Sequence, residues 1–273
     1  RPEMAMDPAG NERSWNPDYW KPKRHQVEHY QTLAQGLMSP LNSAQFVLDG
    51  SIPGRGKTIT TILAAIELGV ANIQVICPGP VVPKWIMALE PLGLFNARVS
   101  TYEGIKGTST KLKVMWAKYK PDPRNPSYNI DNDWVQITKS GKKGNKGSQY
   151  DFSFLPELGE NGTGGTLVVW DEVHRAKATN TSQNNEMFNQ FVRYLKDLNS
   201  PAPLDPERYR GNLSKRKYVR SIALTGSMIE KIEDMPYILN ALGYIDFPSG
   251  PHANKFINGT LKLNFRRHIG SDW

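Results

Sequence analysis

Four short, largely apolar runs recur along the chain, and each is followed by a turn and then a segment with helical spacing. The runs are Ala44 to Leu48, Ile73 to Cys77, Thr166 to Trp170 and Tyr218 to Leu224. Continuous apolar runs are typical of strands in a parallel sheet that is covered on both faces. Their alternation with helices indicates βαβ units. The sequence therefore predicts an α/β fold, with a parallel β-sheet flanked by helices.

The spacing of apolar residues predicts five helices. They are Arg24 to Leu37, Ile59 to Leu68, Val82 to Leu89, Glu186 to Leu198 and Met235 to Leu242. The alternation of predicted strands and helices is interrupted between Tyr102 and Gly165, where many lysines lie among Gly, Ser, Asn and Pro. We expect a lysine-rich surface insertion there, at about residues 103–163, with a helix at Lys111 to Tyr119 and a loop at Ser140 to Ser148.

Composition limits the class of protein. With 273 residues, of which 38% are hydrophobic, the chain can bury a substantial core. The single cysteine, Cys77, cannot form an internal disulfide, which favours a reducing compartment. There is no apolar run of about 18 residues and no signal-peptide core. We expect an intracellular protein of the nucleus, the cytoplasm or a viral particle or factory, with no membrane partner and no secretion.

A glycine turn links the first apolar run to the next helix, with the sequence Gly54-Arg55-Gly56-Lys57-Thr58 after Pro53. Glycines let backbone N–H groups approach phosphate oxygens, and the helix presents its positive end to them. Lys57 can reach the β and γ phosphates and Thr58 can ligate Mg²⁺. The pattern GxxxxGK[ST] normally begins with glycine, where this chain has Ser51. The turn nevertheless indicates a phosphate cradle for ATP.

An acid pair, Asp171 and Glu172, follows the run Thr166 to Trp170. The carboxyl end of such a strand lies at the ligand-binding edge of a doubly wound sheet. Asp171 can hold Mg²⁺ through water, and Glu172 can orient and deprotonate the attacking water. We therefore assign Lys57, Asp171 and Glu172 as candidate catalytic residues and Thr58 and Asp171 as candidate metal ligands.

Together with Val173 and His174, the acid pair forms the sequence DEVH. It is part of one of four motifs that occur in a defined order along the chain. They are GRGKT, VICPGPVVPKW, DEVHRAKA and ALTGSMIE. In this order the chain resembles the DExH-type helicases of superfamily two, most closely the Swi/Snf-like DNA translocases, over about Lys21 to Tyr244. The resemblance implies a RecA-like P-loop NTPase lobe and ATP hydrolysis with Mg²⁺.

The resemblance also implies roles for residues outside the two central motifs. Gln26 matches an adenine-reading glutamine, which places it with Pro53 to Thr58 among the nucleotide-binding candidates. Thr225, Gly226 and Ser227 match a stretch that links the ATP state to nucleic-acid contact, although Met228 stands where the family has proline. We expect His174 to form a hydrogen-bonding link between the ATP site and the Thr225 region.

Positive charge favours an acidic polymer as the partner. The formal net charge is +8, and clustered Lys and Arg gain affinity when phosphate counterions are released. Lys84 lies in the second motif, which in the related motors runs near the nucleic-acid backbone. The candidate nucleic-acid contacts are Lys84, Lys139, Lys142, Lys143 and Lys146. DNA is the preferred partner over RNA.

The expected organisation is a tail or arm at residues 1–20 and one RecA-like ATP-binding domain at 21–273. Related motors complete their ATP site with arginines from a second RecA-like lobe, which this chain does not contain. The chain is therefore expected to be the first motor lobe of a longer protein, slow to hydrolyse ATP alone. Two alternatives stay open: a P-loop phosphotransferase for a small molecule, and a non-enzymatic nucleic-acid binding module with a degenerate nucleotide site.

Overall fold

A computed structural model describes residues 22–39, 45–70, 72–89, 92, 96–105, 135–140, 149–154, 165–176, 183–199, 219–226, 235–246 and 251–261. Its strands are β1 (Phe46–Asp49), β2 (Asn72–Cys77), β3 (Asn96–Thr101), β4 (Val135–Ser140), β5 (Gln149–Phe154), β6 (Thr166–Asp171) and β7 (Val219–Leu224). Its helices are α1 (Arg24–Met38), α2 (Lys57–Glu67), α3 (Val82–Leu89), α4 (Tyr102–Ile105), α5 (Gln183–Asn199), α6 (Met235–Ala241) and α7 (Pro251–Phe256), with a π-helical continuation at Ile257–Leu261. Short 3₁₀ turns lie at Gly79–Val81 and Val173–Ala176.

Five strands form one parallel sheet in the order β1-β7-β6-β2-β3. All four neighbouring pairs are parallel, so the carboxyl ends of the five strands lie at one edge. The strand before the glycine turn, β1, and the strand before the acid pair, β6, are separated only by β7. All four sequence motifs therefore stand at the carboxyl ends of four adjacent strands, β1, β7, β6 and β2, at the same edge of the sheet.

Helices cover both faces of this sheet. On one face, apolar residues of α1, α2 and α3 pack with alternate strand residues such as Val75, Leu167 and Ile222. On the other face, α5 and α6 pack around Trp170, which contacts Phe188 and Phe191 in edge and tilted ring arrangements. Apolar burial on both faces explains why the strands read as continuous apolar runs.

The predicted α/β fold with a parallel sheet flanked by helices is confirmed. The four predicted strands and five predicted helices are all present, with ends that differ by a few residues. The sequence did not predict β3, whose residues Asn96 to Thr101 alternate polar and apolar at the sheet edge.

The lysine-rich segment contains an antiparallel hairpin of β4 and β5, which the sequence also did not predict. β5 lies alongside α5. The predicted loop Ser140 to Ser148 is wrong at its first residue, because Ser140 ends β4. The rest of that loop up to Ser148, the predicted helix Lys111 to Tyr119 and the tail at 1–20 lie outside the described residues.

Candidate nucleotide-binding site

The glycine turn, Gly54 to Thr58, takes its shape from two left-handed backbone positions. Gly54 has φ +84° and Gly56 has φ +85°, a region that residues with a Cβ rarely adopt. Gly56 is the residue that precedes α2, which begins at Lys57. Thr58 is buried in the first turn of this helix, at 6% exposure, while Arg55 is exposed. The turn thus presents the N-terminus of an eleven-residue helix at the carboxyl edge of the sheet.

Ser51 takes the place of the usual first glycine without strain. Its φ is not positive, so a side chain is tolerated there. Its backbone N–H donates to Asp49 Oδ1 at 3.0 Å, which fixes the exit from β1. The ammonium of Lys57 donates to the carbonyl oxygens of Ser51 and Ile52, the latter at 3.1 Å. The lysine is therefore held over the turn by carbonyl groups that an anion could replace.

Gln26 of α1 packs directly against the glycine turn. Its side chain is 7% exposed, and a Cβ added at Gly56 would overlap its amide nitrogen Nε2. Its Oε1 accepts a hydrogen bond of 2.9 Å from the backbone N–H of Lys23. The structure therefore places the predicted adenine-reading residue beside the predicted phosphate cradle.

Asp171 is held, at its side chain and its backbone, by residues that are distant along the chain. Trp85 Nε1 of α3 donates to Asp171 Oδ2 at 2.7 Å, and the Tyr102 hydroxyl donates to the Asp171 backbone oxygen at 3.0 Å. Trp85 belongs to the core on one face of the sheet and Tyr102 to the core on the other. Asp171 is thus fixed from both faces at the end of β6.

The charge of Asp171 is affected by its surroundings. Burial raises the pKa of its carboxyl above the ordinary value. The hydrogen bond from Trp85 opposes that shift, the negative charge of Glu172 adds to it, and the positive charge of Lys84 opposes it. Lys84 is exposed on α3. The predicted nucleic-acid contact and the predicted metal ligand are therefore electrostatic neighbours.

Glu172 occupies a left-handed position, φ +54°, which is uncommon for a residue with a side chain. Such strain is often found at functional sites, where the surrounding structure maintains it. The Glu172 side chain is 39% exposed, and its Oε2 lies 3.2 Å from His174 Nδ1. The same ring nitrogen lies 3.2 Å from the Thr225 Oγ1 atom. His174 therefore contacts both groups that the sequence predicted it to join.

A continuous line of contacts connects the acid pair to the glycine turn. It runs from Glu172 through His174 to Thr225, whose backbone N–H donates to the Asp49 carbonyl at 3.1 Å. The neighbouring Gly226 packs so closely on Pro53 that a Cβ there would lie 2.9 Å from Pro53 Cγ. The residues at the end of β7 thus lie between the glycine turn and the acid pair.

Five predicted residues remain, namely Lys139, Ser227, Lys142, Lys143 and Lys146. Lys139 is in β4, at the hairpin position opposite Tyr150. Ser227, Lys142, Lys143 and Lys146 lie outside the described residues. Their predicted roles stay predictions.

Sequence reasoning missed three contributors to the site. Neither Trp85 nor Tyr102 was among the predicted site residues, yet both hold Asp171. The third contributor is His29 of α1, whose Nε2 atom lies 3.3 Å from Oδ2 of the buried Asp49. The only available signal was the position of Asp49 at the end of an apolar run, because the contacts themselves join distant parts of the chain.

The residues present fit ATP with Mg²⁺. A Cβ at Gly54 would have no atom within 4 Å, so the turn is open there, as close approach of a phosphate requires. Lys57 supplies a cation, and the oxygens of Thr58 and Asp171 are the hard ligands that Mg²⁺ prefers. Mg²⁺ at such sites uses one or two protein groups and the phosphates. Within the described ranges, no larger cluster of His, Cys, Asp and Glu is arranged to hold a metal.

Comparison with known proteins gave similarities both to a curated protein and to solved structures. Over 229 residues the chain is 24% identical to an Acanthamoeba polyphaga mimivirus protein named "Putative ATP-dependent RNA helicase", a match that covers 84% of this chain and 34% of that protein. The SWI2/SNF2 ATPase core of Sulfolobus solfataricus, solved in complex with dsDNA, matches with a TM-score of 0.47 and 14% identity, over 89% of this chain and 40% of that one. The chain thus spans about a third of its curated relative, and no family model matches it.

The similarity to the mimivirus protein confirms the helicase resemblance that the four motifs carry. Across the ranges that the structure describes, every helix is too short or too polar to span a membrane.

Proposed function

We propose that this chain is the ATP-binding lobe of an ATP-dependent nucleic-acid motor, of the Swi/Snf-like helicase type, that couples ATP hydrolysis to movement on DNA. One observation supports this most: the line of contacts from Glu172 through His174 and Thr225 to the Pro53–Gly226 contact. An isolated glycine turn is common, whereas a glycine turn connected in this way to a half-buried Asp and a Glu at a left-handed backbone position supplies the groups that ATP hydrolysis uses.

In this proposal each residue of the site has a separate task. The N–H groups of the glycine turn and the Lys57 ammonium bind the phosphates, while Gln26 recognises the adenine. Thr58 and Asp171 hold Mg²⁺, which supplies charge neutralisation at the phosphates. A Glu172 carboxylate oxygen accepts a proton from the attacking water. His174 holds the Glu172 side chain in place through the 3.2 Å contact.

The nucleic-acid part of the proposal is supported by charge and by similarity. The net charge of +8 favours a polyanion, and exposed Lys84 lies close enough to Asp171 to affect its pKa. The mimivirus relative is named as an RNA helicase. We favour DNA, because the four motifs most closely resemble those of Swi/Snf-like DNA translocases. The lysines at 139, 142, 143 and 146 would add contacts to the phosphate backbone.

We further propose that the full motor contains a second RecA-like lobe. Arginines supplied across such an interface typically raise the rate of phosphoryl transfer by roughly 10³ to 10⁵. The chain by itself would therefore bind ATP and hydrolyse it slowly.

ATP hydrolysis by the chain, and by the full-length protein, tests the proposal when each is measured with double-stranded DNA, single-stranded DNA and RNA. We expect strong stimulation of the full-length protein by DNA. Lys57→Ala is the control, since loss of the ammonium should weaken ATP binding by at least about 100-fold while the fold remains. Turnover indifferent to every polymer would instead indicate a small-molecule phosphotransferase. Absence of ATP binding by the wild type would leave a nucleic-acid binding module.

A further inference from the structure

The geometry points to Trp85 as a positioning residue for the carboxylate of Asp171: we propose that its indole N–H fixes the carboxylate orientation in which Asp171 supports Mg²⁺. This inference rests on the proposed nucleotide-binding function. It assigns to α3 a role in the metal site, in addition to its place in the core. Trp85 itself touches neither the metal nor the nucleotide in this proposal and acts only through Asp171.

The hydrogen bond has the geometry of a strong, charge-assisted contact. Trp85 Nε1 lies 2.7 Å from Asp171 Oδ2, at the short end of the range for N–H donors to carboxylates. The indole is fully buried, at 0% exposure, and packs with Val82 and Leu89 in the core beneath α3. A buried donor of this kind has no competing water, so the bond restricts rotation of the carboxylate.

A second indole shows that burial alone does not produce such a contact. Trp170 is also 0% exposed and immediately precedes Asp171, yet its Nε1 has no hydrogen-bond partner within the described structure. The two tryptophans therefore share size and burial but differ in the one bond to Asp171. Trp85 stands 86 residues from Asp171 along the chain, and its N–H is aimed at the carboxylate by the fold.

The remaining contacts of Asp171 leave its side-chain orientation largely to Trp85. The Tyr102 hydroxyl bonds the Asp171 backbone oxygen, and so fixes the main chain. The backbone N–H of Glu172 also bonds Asp171, but it belongs to the adjacent residue. Trp85 is thus the side chain from a different element that holds the carboxylate oxygen itself. Groups that orient a metal ligand in this way typically contribute 10- to 100-fold to metal affinity.

The first test measures binding of a fluorescent, non-hydrolysable ATP analogue as a function of Mg²⁺ concentration. Trp85→Phe should raise the Mg²⁺ concentration at half-effect by roughly 10- to 100-fold, while affinity for the analogue in EDTA stays within about threefold. Trp170→Phe is the matched control, because it removes an equally buried indole beside Asp171 without removing a hydrogen bond. It should leave the Mg²⁺ requirement unchanged. Equal shifts in both variants, or none in Trp85→Phe, would overturn the proposal.

A double-mutant cycle with Asp171→Ala separates positioning from packing. If Trp85 acts through the carboxylate, Trp85→Phe should not change the Mg²⁺ dependence further once that carboxylate is absent. A further loss of the same size in the Asp171→Ala background would contradict the proposal. Wild-type protein that fails to bind the analogue at all would refute the proposed function instead.

Folding is monitored by thermal unfolding of each variant. If Trp85→Phe unfolds, β-(3-benzothienyl)alanine at position 85 keeps the shape of the indole and replaces its N–H by sulfur. The isostere should reproduce the increased Mg²⁺ requirement with near-native stability. A native Mg²⁺ requirement with this residue would show that the N–H has no positioning role.

Discussion

The glycine turn and the acid pair stand at the same edge of one sheet, yet they are held in opposite ways. The glycine turn is shaped mainly by its own backbone, namely two left-handed glycines and Lys57 bonded to carbonyls five and six residues earlier, although Gln26 also packs on it at Gly56. The acid pair is shaped by side chains that arrive from distant parts of the chain, namely Trp85, Tyr102 and Thr225.

This difference matters because a locally determined turn survives changes elsewhere, whereas a turn held by distant groups responds to them. The glycine turn is mostly exposed, with Pro53, Gly54 and Arg55 open to solvent. Asp171, in contrast, is tied to both helical layers.

The largest expected effect separates chemistry from binding. Glu172→Gln should lower ATP turnover by about 10²- to 10⁴-fold, because the amide cannot accept a proton from water. ATP affinity should stay within about threefold, since the glycine turn is unchanged. Rapid-quench turnover and equilibrium nucleotide binding measure the two quantities. Glu67→Gln, at the exposed end of α2, controls for loss of one carboxylate. A parallel fall in both quantities would mean that the two regions are not independent.

The next effect compares the two glycines. Gly54→Ala should lower the free energy of unfolding by roughly 1 to 2 kcal/mol, which is the cost of placing a residue with a Cβ in the left-handed backbone region. No steric cost is added, because the Cβ would enter open space. Gly56→Ala adds overlap with Gln26 and should lower the free energy of unfolding by roughly 2 to 4 kcal/mol. Urea denaturation measures both. Combining Gly56→Ala with Gln26→Ala should bring the loss closer to that of Gly54→Ala, and equal losses in the two single variants would show that Gln26 does not restrict the turn.

The smallest effect concerns the support of Asp171 from the second face. Tyr102→Phe removes the donor to the Asp171 backbone oxygen and should lower the free energy of unfolding by about 1 kcal/mol. Tyr244→Phe is the control, since Tyr244 is 75% exposed and should change stability little. Denaturant unfolding of both proteins provides the comparison. Equal stability of Tyr102→Phe and wild type would indicate that Asp171 does not need this second support.

The same contrast explains what the sequence could predict. Gly54, Gly56 and Lys57 are close in sequence, and their chemistry is local, so their pattern is sufficient to recognise the turn. Asp171 and Glu172 were recognisable because they follow an apolar run. The bonds from Trp85 and Tyr102 span 86 and 69 residues, and no local pattern indicates which buried donor will reach which acceptor.

Strand prediction failed where a strand lacks a continuous apolar run. β3 forms the edge of the sheet and carries Asn96, Arg98 and Ser100, so it lacks the apolar run that revealed the other strands. The hairpin of β4 and β5 lies within a lysine-rich segment whose composition resembles a solvated loop. In both places the pairing of backbone groups, rather than the apolar pattern, determines the structure.

The position of β7 sets the order in which the site can be assembled during synthesis. Among the described strands, β1 pairs only with β7, Phe46 against Ser221, which lies 175 residues later in the chain. Such non-local pairing is slow, because a long loop must close before the contact forms. A nascent chain in which Val219 to Leu224 have not yet left the ribosome contains both GRGKT and DEVH. It lacks the strand that lies between them in the sheet. If the chain binds nucleotide as proposed, that binding would therefore require β7 to have left the ribosome.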